Sequence, residues 1–242
     1  MFSVANAHPR ECRETRVDIE KKSIESDRGV EKQMKYGFIQ KVMWTGYKGS
    51  FKKHLTQTLS EPDSRAVMKS AHKKYKEILA GVDEFDKGDR FLKNIVSCAM
   101  LSAILLSVSK KYSAEDVRAY YKNAMCDNKL TKIACKSGKN YTAKGREKLK
   151  RQAKLSETVT NPYSWKFTVE DGDTLNRYTA YFHTCGICRL MTELGLKEYI
   201  PAMCSLDYDM AALGNADFTR EQTLAGGGEY CDCHYDYKGK TK

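Results

Sequence analysis

The sequence is poor in proline and lacks a long apolar run. Only four of its 242 residues are proline, while 41% are hydrophobic and 30% are charged, a balance typical of globular proteins rather than disordered chains. The most apolar stretch, residues 95–108, is shorter than the roughly 20 residues of a membrane-spanning helix. The first residues also lack the apolar segment of a secretory signal. These absences predict a cytoplasmic globular protein with no membrane partner.

Cysteine is plentiful, but its distribution argues against a disulfide framework. The chain has nine cysteines, an odd number without a secretory signal, which favours reduced thiols. Five of the nine lie between residues 185 and 233. Such a cluster in a cytosolic protein suggests nucleophile, redox or metal chemistry, although free cysteine is also a common small core residue.

Positive charge is concentrated in the first two thirds of the chain. The formal charge is +11, but residues 163–242 carry eight basic and twelve acidic side chains, which leaves +15 on residues 1–162. The basic residues alternate with acids on the expected polar faces of helices, and only residues 144–154 form a concentrated patch. A solvated surface explains this pattern better than a nucleic-acid interface does. We therefore expect no nucleic-acid partner.

Residues 30–59 show a helical repeat of apolar side chains. Met34, Phe38 and Val42 recur at intervals of four residues, which predicts that they share one apolar helix face. Gly46 and Gly49 interrupt the pattern, so one broken helix or two helices are expected.

Four further helices are predicted before residue 162. Asp63 or Ser64 is a candidate cap for the first of them, and Ser113 with Asp116 resembles a capping box. The most apolar of the four is expected to be buried. The predicted segments are residues 64–79, 91–108, 113–125 and 144–154.

After Pro162 the period of the apolar residues changes from helical to alternating, which is typical of strands. The two alternating sets are Trp165, Phe167 and Val169, then Tyr178, Ala180 and Phe182. Helices are predicted at 185–194 and 197–213, and strands at 216–224 and 229–237. This order predicts an α+β fold, in which amino-terminal helices pack with a carboxy-terminal antiparallel sheet and two helices.

The same pattern predicts three regions along the chain. Residues 1–27 are expected to be a poorly ordered lead-in, residues 28–162 a basic helical region, and residues 163–242 a cysteine-rich catalytic region. The segment 28–242 is expected to form one compact domain.

Several motifs follow one another in the last third of the chain. They are CGIC at 185–188, Cys204 three residues before Asp207, REQTL at 220–224, and Cys231-Asp232 after a glycine-rich turn. This ordered set resembles the L-2-amino-thiazoline-4-carboxylic acid hydrolase family over residues 165–235.

The resemblance implies hydrolytic opening of a small ring at a C=N carbon, which in the name-giving reaction converts an aminothiazoline carboxylate into an N-carbamoyl amino acid. Such an attack needs a nucleophile, a proton-transfer group and usually a cation for the substrate carboxylate. We therefore expect a hydrolase that acts on the carbon–nitrogen bond of a cyclic amidine or amide, or on a related C–S ring. The attack at the C=N or carbonyl carbon is expected to be assisted by a thiol or an aspartate, with a small molecule as substrate.

The candidate site residues are thiols, carboxylates, histidines and one arginine. A cysteine in the first turn of a helix has its thiolate favoured by the helix dipole, and arginine clamps carboxylates in a bidentate manner. Each cysteine can equally be a packed core thiol. The catalytic candidates are Cys188, Cys204, Asp207, Cys231, Asp232 and His183, and the substrate-binding candidates are Arg220, Thr223, His234 and Cys185.

Two alternatives stay open at this point. Cys185 and Cys188 have the C-x2-C spacing of a zinc site that Cys231, Cys233 and His234 would complete. Because C-x-C is poor zinc spacing, we expect no metal or cofactor, with zinc as the rival. A non-enzymatic module that binds a small ligand is the second alternative. The sequence also leaves a homo-oligomer open.

Overall fold

A computed structural model describes residues 32–239, in which helices come first and the strands lie in the last third of the chain together with two further helices. The predicted lead-in, residues 1–27, lies outside the described residues, and the boundary predicted at residue 163 stays a prediction. The described residues from Gln33 onward form one compact unit. In chain order the elements are α1 (Phe38–Gln57), α2 (Ser64–Ala80), α3 (Leu92–Leu105), α4 (Ala114–Cys126), α5 (Lys129–Cys135), α6 (Ala143–Ser156), β1 (Phe167–Asp171), β2 (Arg177–Phe182), α7 (Gly186–Glu193), α8 (Ile200–Leu213), β3 (Ala216–Thr219) and β4 (Cys231–Tyr237).

The four strands form one antiparallel sheet in the order β1-β2-β4-β3. Helices α7 and α8 are inserted between β2 and β3 in the chain, so that β4 returns to the middle of the sheet. One face of the sheet is apolar, because Phe167, Ala180 and Cys233 are each at most 3% exposed. The predicted α+β class, with an antiparallel sheet at the carboxy-terminal end, is confirmed.

Helix α3 lies at the centre of the helical layer. Ile95, Val96 and Leu101 are fully buried, and the helix packs against both α2 and α7. This agrees with the burial predicted from its apolar sequence, since a helix that is hydrophobic all round has no face to present to water. In residues 32–239, no helix is both long enough and apolar enough to cross a membrane.

Two predicted helix caps are confirmed. The Asp63 side chain accepts hydrogen bonds from the backbone N–H groups of Arg65 and Ala66 at the start of α2. Ser113 and Asp116 form a reciprocal capping box at the start of α4. Both caps act within three residues of the chain, which explains why the local sequence was sufficient to predict them.

The prediction for the first helix is wrong in two respects. Helix α1 continues without a break through both glycines, and its predicted apolar face points outward, with Phe38 81% exposed and Val42 45% exposed. The buried face carries Trp44, Tyr47 and Phe51 instead. These aromatic side chains remove more apolar area from water than the predicted stripe would.

The third strand is shorter than predicted, since β3 ends at Thr219 rather than at residue 224. Beyond it, the Asp232 carboxylate accepts hydrogen bonds from the backbone N–H groups of Glu221 and Gln222. These N–H groups are therefore used by a side chain instead of a strand ladder. Helix α5 was not predicted.

Candidate active site

The sheet divides the predicted site residues into two groups. Side chains alternate along β4, so Cys231 and Cys233 lie on the face that packs against the helices, whereas Asp232 and His234 lie on the opposite face. The register of β4 on β2 agrees with this division, because Cys231 pairs with Phe182 and His234 pairs with Thr179. A single site cannot use the side chains of both faces.

On the helix-facing side, Asp207 forms an ion pair with Arg220. Arg220 follows β3 directly, and its Nη1 donates to Oδ2 of Asp207 at 3.1 Å while its Nη2 donates to the Cys204 carbonyl oxygen at 3.0 Å. The Arg220 guanidinium also lies over the rings of Tyr208 and Phe218. Its side chain is only 7% exposed. The guanidinium of Arg220 is therefore engaged by groups of the protein.

The Arg220 cation offsets only part of the effect that burial has on the pKa of the Asp207 carboxyl group. Burial outweighs the attraction of Arg220 and raises the pKa of Asp207 to about 6, because a low-dielectric environment disfavours the charged form. Yet 44% of its side chain is accessible. Asp207 lines an open cavity, where water reaches the carboxyl group although protein atoms surround it.

That cavity has a volume of about 250 Å³ and lies between the sheet and helices α5, α6 and α8. It is smaller than the roughly 300–1,000 Å³ of pockets for drug-sized ligands, which suits a small ring compound. Burial raises the pKa of Tyr178 and Tyr235, so both hydroxyl groups stay protonated as hydrogen-bond donors. The lining side chains include Phe167, Tyr178, Phe182, Tyr235, Asp207, Arg90, Lys139, Asn140 and Tyr141.

Among the thiols, Cys185 has the most favourable environment for a thiolate. It is the N-cap residue of α7, and its Sγ accepts a hydrogen bond from the backbone N–H of Cys188 at 3.5 Å. The Cys188 thiol, backbone N–H groups and the Trp165 indole together lower the pKa of Cys185. The pKa of Cys188 is raised by the same contact and by burial. The electrostatics thus favour Cys185 over Cys188 as a nucleophile, the reverse of the roles expected from the motif.

The remaining thiols of this side are held neutral. Burial raises the pKa of Cys204 and of Cys233 to about 12. Burial also raises the pKa of Cys231, whose Sγ accepts the backbone N–H of Leu224 at 3.3 Å. A neutral thiol is a poor nucleophile, so these three cysteines are better suited to packing beside Asp207 than to attack.

The difference between the thiols gives a direct test with iodoacetamide. At pH 7 we expect Cys185 to be alkylated at least about tenfold faster than Cys188, Cys204 or Cys231, because alkylation consumes the thiolate. Peptide mass spectrometry over a time course measures the four rates. Protein unfolded in denaturant serves as the control, in which the rates converge. Equal rates in the folded protein would contradict the assignment.

On the opposite face, Asp232 has a structural environment. It is 4% exposed, and although burial alone raises its pKa, the N–H groups of Gln222 and Glu221 and the His234 ring hold that pKa below its ordinary range. His234 bridges Nε2 to Asp232 at 3.0 Å and Nδ1 to the Thr179 hydroxyl at 2.8 Å. This chain of hydrogen bonds anchors the segment after β3 to the sheet.

The other two predicted residues, His183 and Thr223, have hydrogen-bond partners outside the Asp207 ion pair. His183 is exposed, and its Nε2 is 3.3 Å from the Thr168 hydroxyl. Thr223 accepts the backbone N–H of Gly226 with its hydroxyl, which closes the turn before the glycines. The structure therefore joins Cys204, Asp207 and Arg220 through hydrogen bonds. The charges of Cys185 and Cys231 contribute to the raised pKa of Cys204, and that of Cys204 to the raised pKa of Cys188. The side chains of His183, Thr223, Asp232 and His234 are bonded to other groups.

The zinc set proposed from spacing is not assembled. In the part of the chain that the structure describes, no three histidine, cysteine or acidic side chains converge on a position that could hold a metal ion. The alternation along β4 is the reason, since Cys233 and His234 point to opposite faces. Whether the protein carries a cofactor stays a prediction.

Sequence reasoning missed Arg90 as a basic residue of the cavity. Arg90 lines it from the loop before α3, where no motif or periodic pattern marks the residue. The sequence did indicate the arginine paired with Asp207, but it suggested that Arg220 is available to a substrate. Only the contacts of Arg220 show that it is engaged within the protein.

Comparison with known proteins identifies one family. The family model described as L-2-amino-thiazoline-4-carboxylic acid hydrolase matches residues 93–235, which is more than half of the chain. This range includes Cys185, Asp207 and Arg220, but it begins after Arg90. Searches for similar curated proteins and for similar solved structures each find no match.

Proposed function

Because the chain belongs to the L-2-amino-thiazoline-4-carboxylic acid hydrolase family, we propose that it hydrolyses a small cyclic amidine bearing a carboxylate, in the cavity beside Asp207. The observation that carries the proposal is the Asp207 carboxyl group, which faces this cavity and has its pKa raised to about 6. A carboxylate with a pKa near 6 is deprotonated at neutral pH and is more basic than an ordinary aspartate.

Asp207 is the proton-transfer group in this proposal. It takes a proton from a water molecule as the water oxygen bonds to the C=N carbon of the ring. The resulting tetrahedral intermediate collapses with cleavage of the ring bond to sulfur or nitrogen, and Asp207 returns the proton to the leaving atom. The family's name-giving substrate loses its C–S bond in this way and becomes an N-carbamoyl amino acid.

Arg220 acts through Asp207 in this scheme. Its guanidinium is held by the Cys204 carbonyl oxygen and the rings of Tyr208 and Phe218, so it fixes the position of the Asp207 carboxylate. It also opposes the effect of burial on the Asp207 pKa. Arg220 is thus a positioning residue, and the cation for the substrate carboxylate has to come from another part of the cavity.

Cys185 supports a thiol-assisted form of the same reaction. Its thiolate is stabilised at the start of α7, and its charge contributes to the raised pKa of Cys204 and of Cys231. Cys185 lies outside the lining of the cavity, so this form requires the ring to reach beyond that lining. In that form the Cys185 thiolate adds to the C=N carbon of the protonated ring, and the adduct collapses with cleavage of the ring bond to sulfur or nitrogen. Asp207 then takes a proton from a water molecule that attacks the covalent adduct, which releases the product and the Cys185 thiolate, and Asp207 passes that proton to the atom that left the ring. Rapid acid quenching followed by intact-mass measurement separates the two forms, because only thiol attack leaves a covalent adduct on the protein.

The test of the proposed function is hydrolysis of L-2-amino-2-thiazoline-4-carboxylate by the purified protein. We expect N-carbamoyl-cysteine as the product, with one oxygen atom from ¹⁸O-labelled water, both detected by mass spectrometry. Heat-denatured protein is the control. If this ring and related cyclic amidines bind without being opened, the protein is a ligand-binding module and the hydrolase proposal is wrong.

A further inference from the structure

The cavity contains an arginine that the family match does not cover. Arg90 lies three residues before the matched segment 93–235, and it lines the cavity of Asp207 as well as a second cavity of about 230 Å³ on its other side. Its side chain is exposed. Asp207 therefore gives the first cavity one acidic group, and Arg90 and Lys139 give it two basic groups.

The guanidinium of Arg90 has few partners in the protein. Within residues 32–239 it forms no ion pair, and the one hydrogen bond that it donates is a long one, 3.3 Å from Nη1 to Oε1 of Gln152. Its planar group lies over the rings of Phe91 and Phe167, at 5.4 and 5.5 Å from their centroids. These contacts orient the guanidinium but leave most of its five N–H donors without an acceptor.

Such an arrangement favours an anionic ligand. The protein atoms around Arg90 lower its pKa although its side chain is exposed, which indicates a modest cost of holding a cation there, and arginine nevertheless stays charged in proteins. An anion in the cavity would remove part of this cost. A carboxylate matches the planar fork of a guanidinium with two parallel hydrogen bonds, which makes the pairing geometrically selective.

We propose that Arg90 binds the carboxylate of the substrate and thereby selects ring compounds that carry one. The inference rests on the proposed function and adds to it the specificity-determining residue. It assigns to Arg90 the role that sequence reasoning gave to Arg220, whose guanidinium is occupied by Asp207 and the Cys204 carbonyl. The bound ring then has its carboxylate at Arg90 and its amidine carbon towards Asp207.

Lys139 provides a matched control. It lines the same cavity and is exposed, as Arg90 is. It differs in that no aromatic ring of residues 32–239 lies beneath its ammonium group, and in that it carries a point charge instead of a planar fork. If any cation in the cavity served equally well, replacing Lys139 would have the same effect as replacing Arg90. The comparison of Arg90→Met with Lys139→Met therefore separates a specific site from general positive charge.

The experiment measures kcat and KM for two rings, L-2-amino-2-thiazoline-4-carboxylate and 2-amino-2-thiazoline, which lacks the carboxylate. For Arg90→Met we expect the preference for the carboxylated ring, as the ratio of kcat/KM values, to fall about 10- to 100-fold, the range of a charged hydrogen-bonded pair. The loss is expected to arise from an increase in KM for the carboxylated ring. Arg90→Lys is expected to lose less, and Lys139→Met to keep the wild-type ratio within about threefold.

Several outcomes would overturn the inference. They are an unchanged ratio in Arg90→Met, an equal loss for both rings, or a loss that appears in Lys139→Met. Thermal unfolding verifies that each variant is folded, and Arg90→Gln replaces Arg90→Met if the latter is not.

Calorimetric binding of the carboxylated ring separates this inference from the proposed function. If the wild type binds the ring without opening it, the hydrolase proposal fails, and the Kd of Arg90→Met still tests Arg90, with a 10- to 100-fold increase expected. If the wild type neither binds nor opens the ring, both proposals are wrong.

Discussion

Replacing Asp207 with asparagine is expected to lower kcat for ring opening by about 10²- to 10⁴-fold, the usual contribution of a positioned general base. Asparagine keeps the size of the side chain and still offers an oxygen to Nη1 of Arg220, but it cannot take a proton. Steady-state kinetics on the aminothiazoline carboxylate measures the effect. Asp209→Asn is the matched control, because Asp209 lies on the same helix and pairs with Lys122.

The pH dependence of the wild-type enzyme tests Asp207 without any substitution. A general base works only when deprotonated, so kcat/KM should fall as the pH drops through the Asp207 pKa of about 6 and should level off above it. An ordinary aspartate would place this fall near pH 4. A profile without a limb near pH 6, or an Asp207→Asn variant that keeps wild-type kcat, would rule out Asp207 as the base.

Replacing Gly186 with alanine is expected to destabilise the protein by about 3 kcal/mol or more. A Cβ atom at this position would lie 1.8 Å from the carbonyl oxygen of Tyr163 and 3.0 Å from Cδ1 of Ile95. The first neighbour is backbone and cannot move aside as a side chain does, so the start of α7 must shift. Because Cys185 caps this helix, its hydrogen bond to the Cys188 N–H would be lost as well.

Gly49→Ala is the matched control for this substitution. Gly49 lies within α1, and no heavy atom of residues 32–239 outside the adjoining residues and the nearby backbone of α1 lies within 4 Å of the position that a Cβ would take. Alanine there is expected to stabilise the protein by about 0.5–1 kcal/mol, since glycine is a poor helix former. Denaturant unfolding gives both free energies. If the two variants have the same stability, the close packing of Gly186 against Tyr163 does not carry the energy assigned to it.

Helices were predictable where the deciding contacts are local. The caps at Asp63 and Ser113 use backbone groups two and three residues away, so no distant residue affects them. The buried face of α1 was not predictable in this way, because the sequence offers two apolar stripes. Packing against α2 decides which stripe is buried, because the His72 and Tyr75 rings of α2 pack against Trp44 at centroid distances of 4.6 and 5.1 Å.

For the site, the alternation of side chains along β4 already indicated which predicted residues share a face of the sheet. Once residues 229–237 are taken as a strand, Asp232 and His234 must face away from Cys231 and Cys233. The predicted site nevertheless included both groups, because ordered motifs in the sequence do not specify sides of a sheet. The motif order did identify Asp207 and Arg220, which the fold brings within hydrogen-bonding distance across 13 residues of chain.

By itself, then, the sequence determined the α+β class, the helix caps, the chemistry available in the last third of the chain, and the likeness to a hydrolase family. Each of these depends on residues that are close together in the chain or on their order. Only the tertiary structure decided which groups are free to act. Asp207 faces a cavity, Arg220 is occupied, and Arg90 lacks a carboxylate partner within the described residues. Burial and hydrogen bonding set these properties, and both depend on side chains that meet from α8, β3 and the loop before α3.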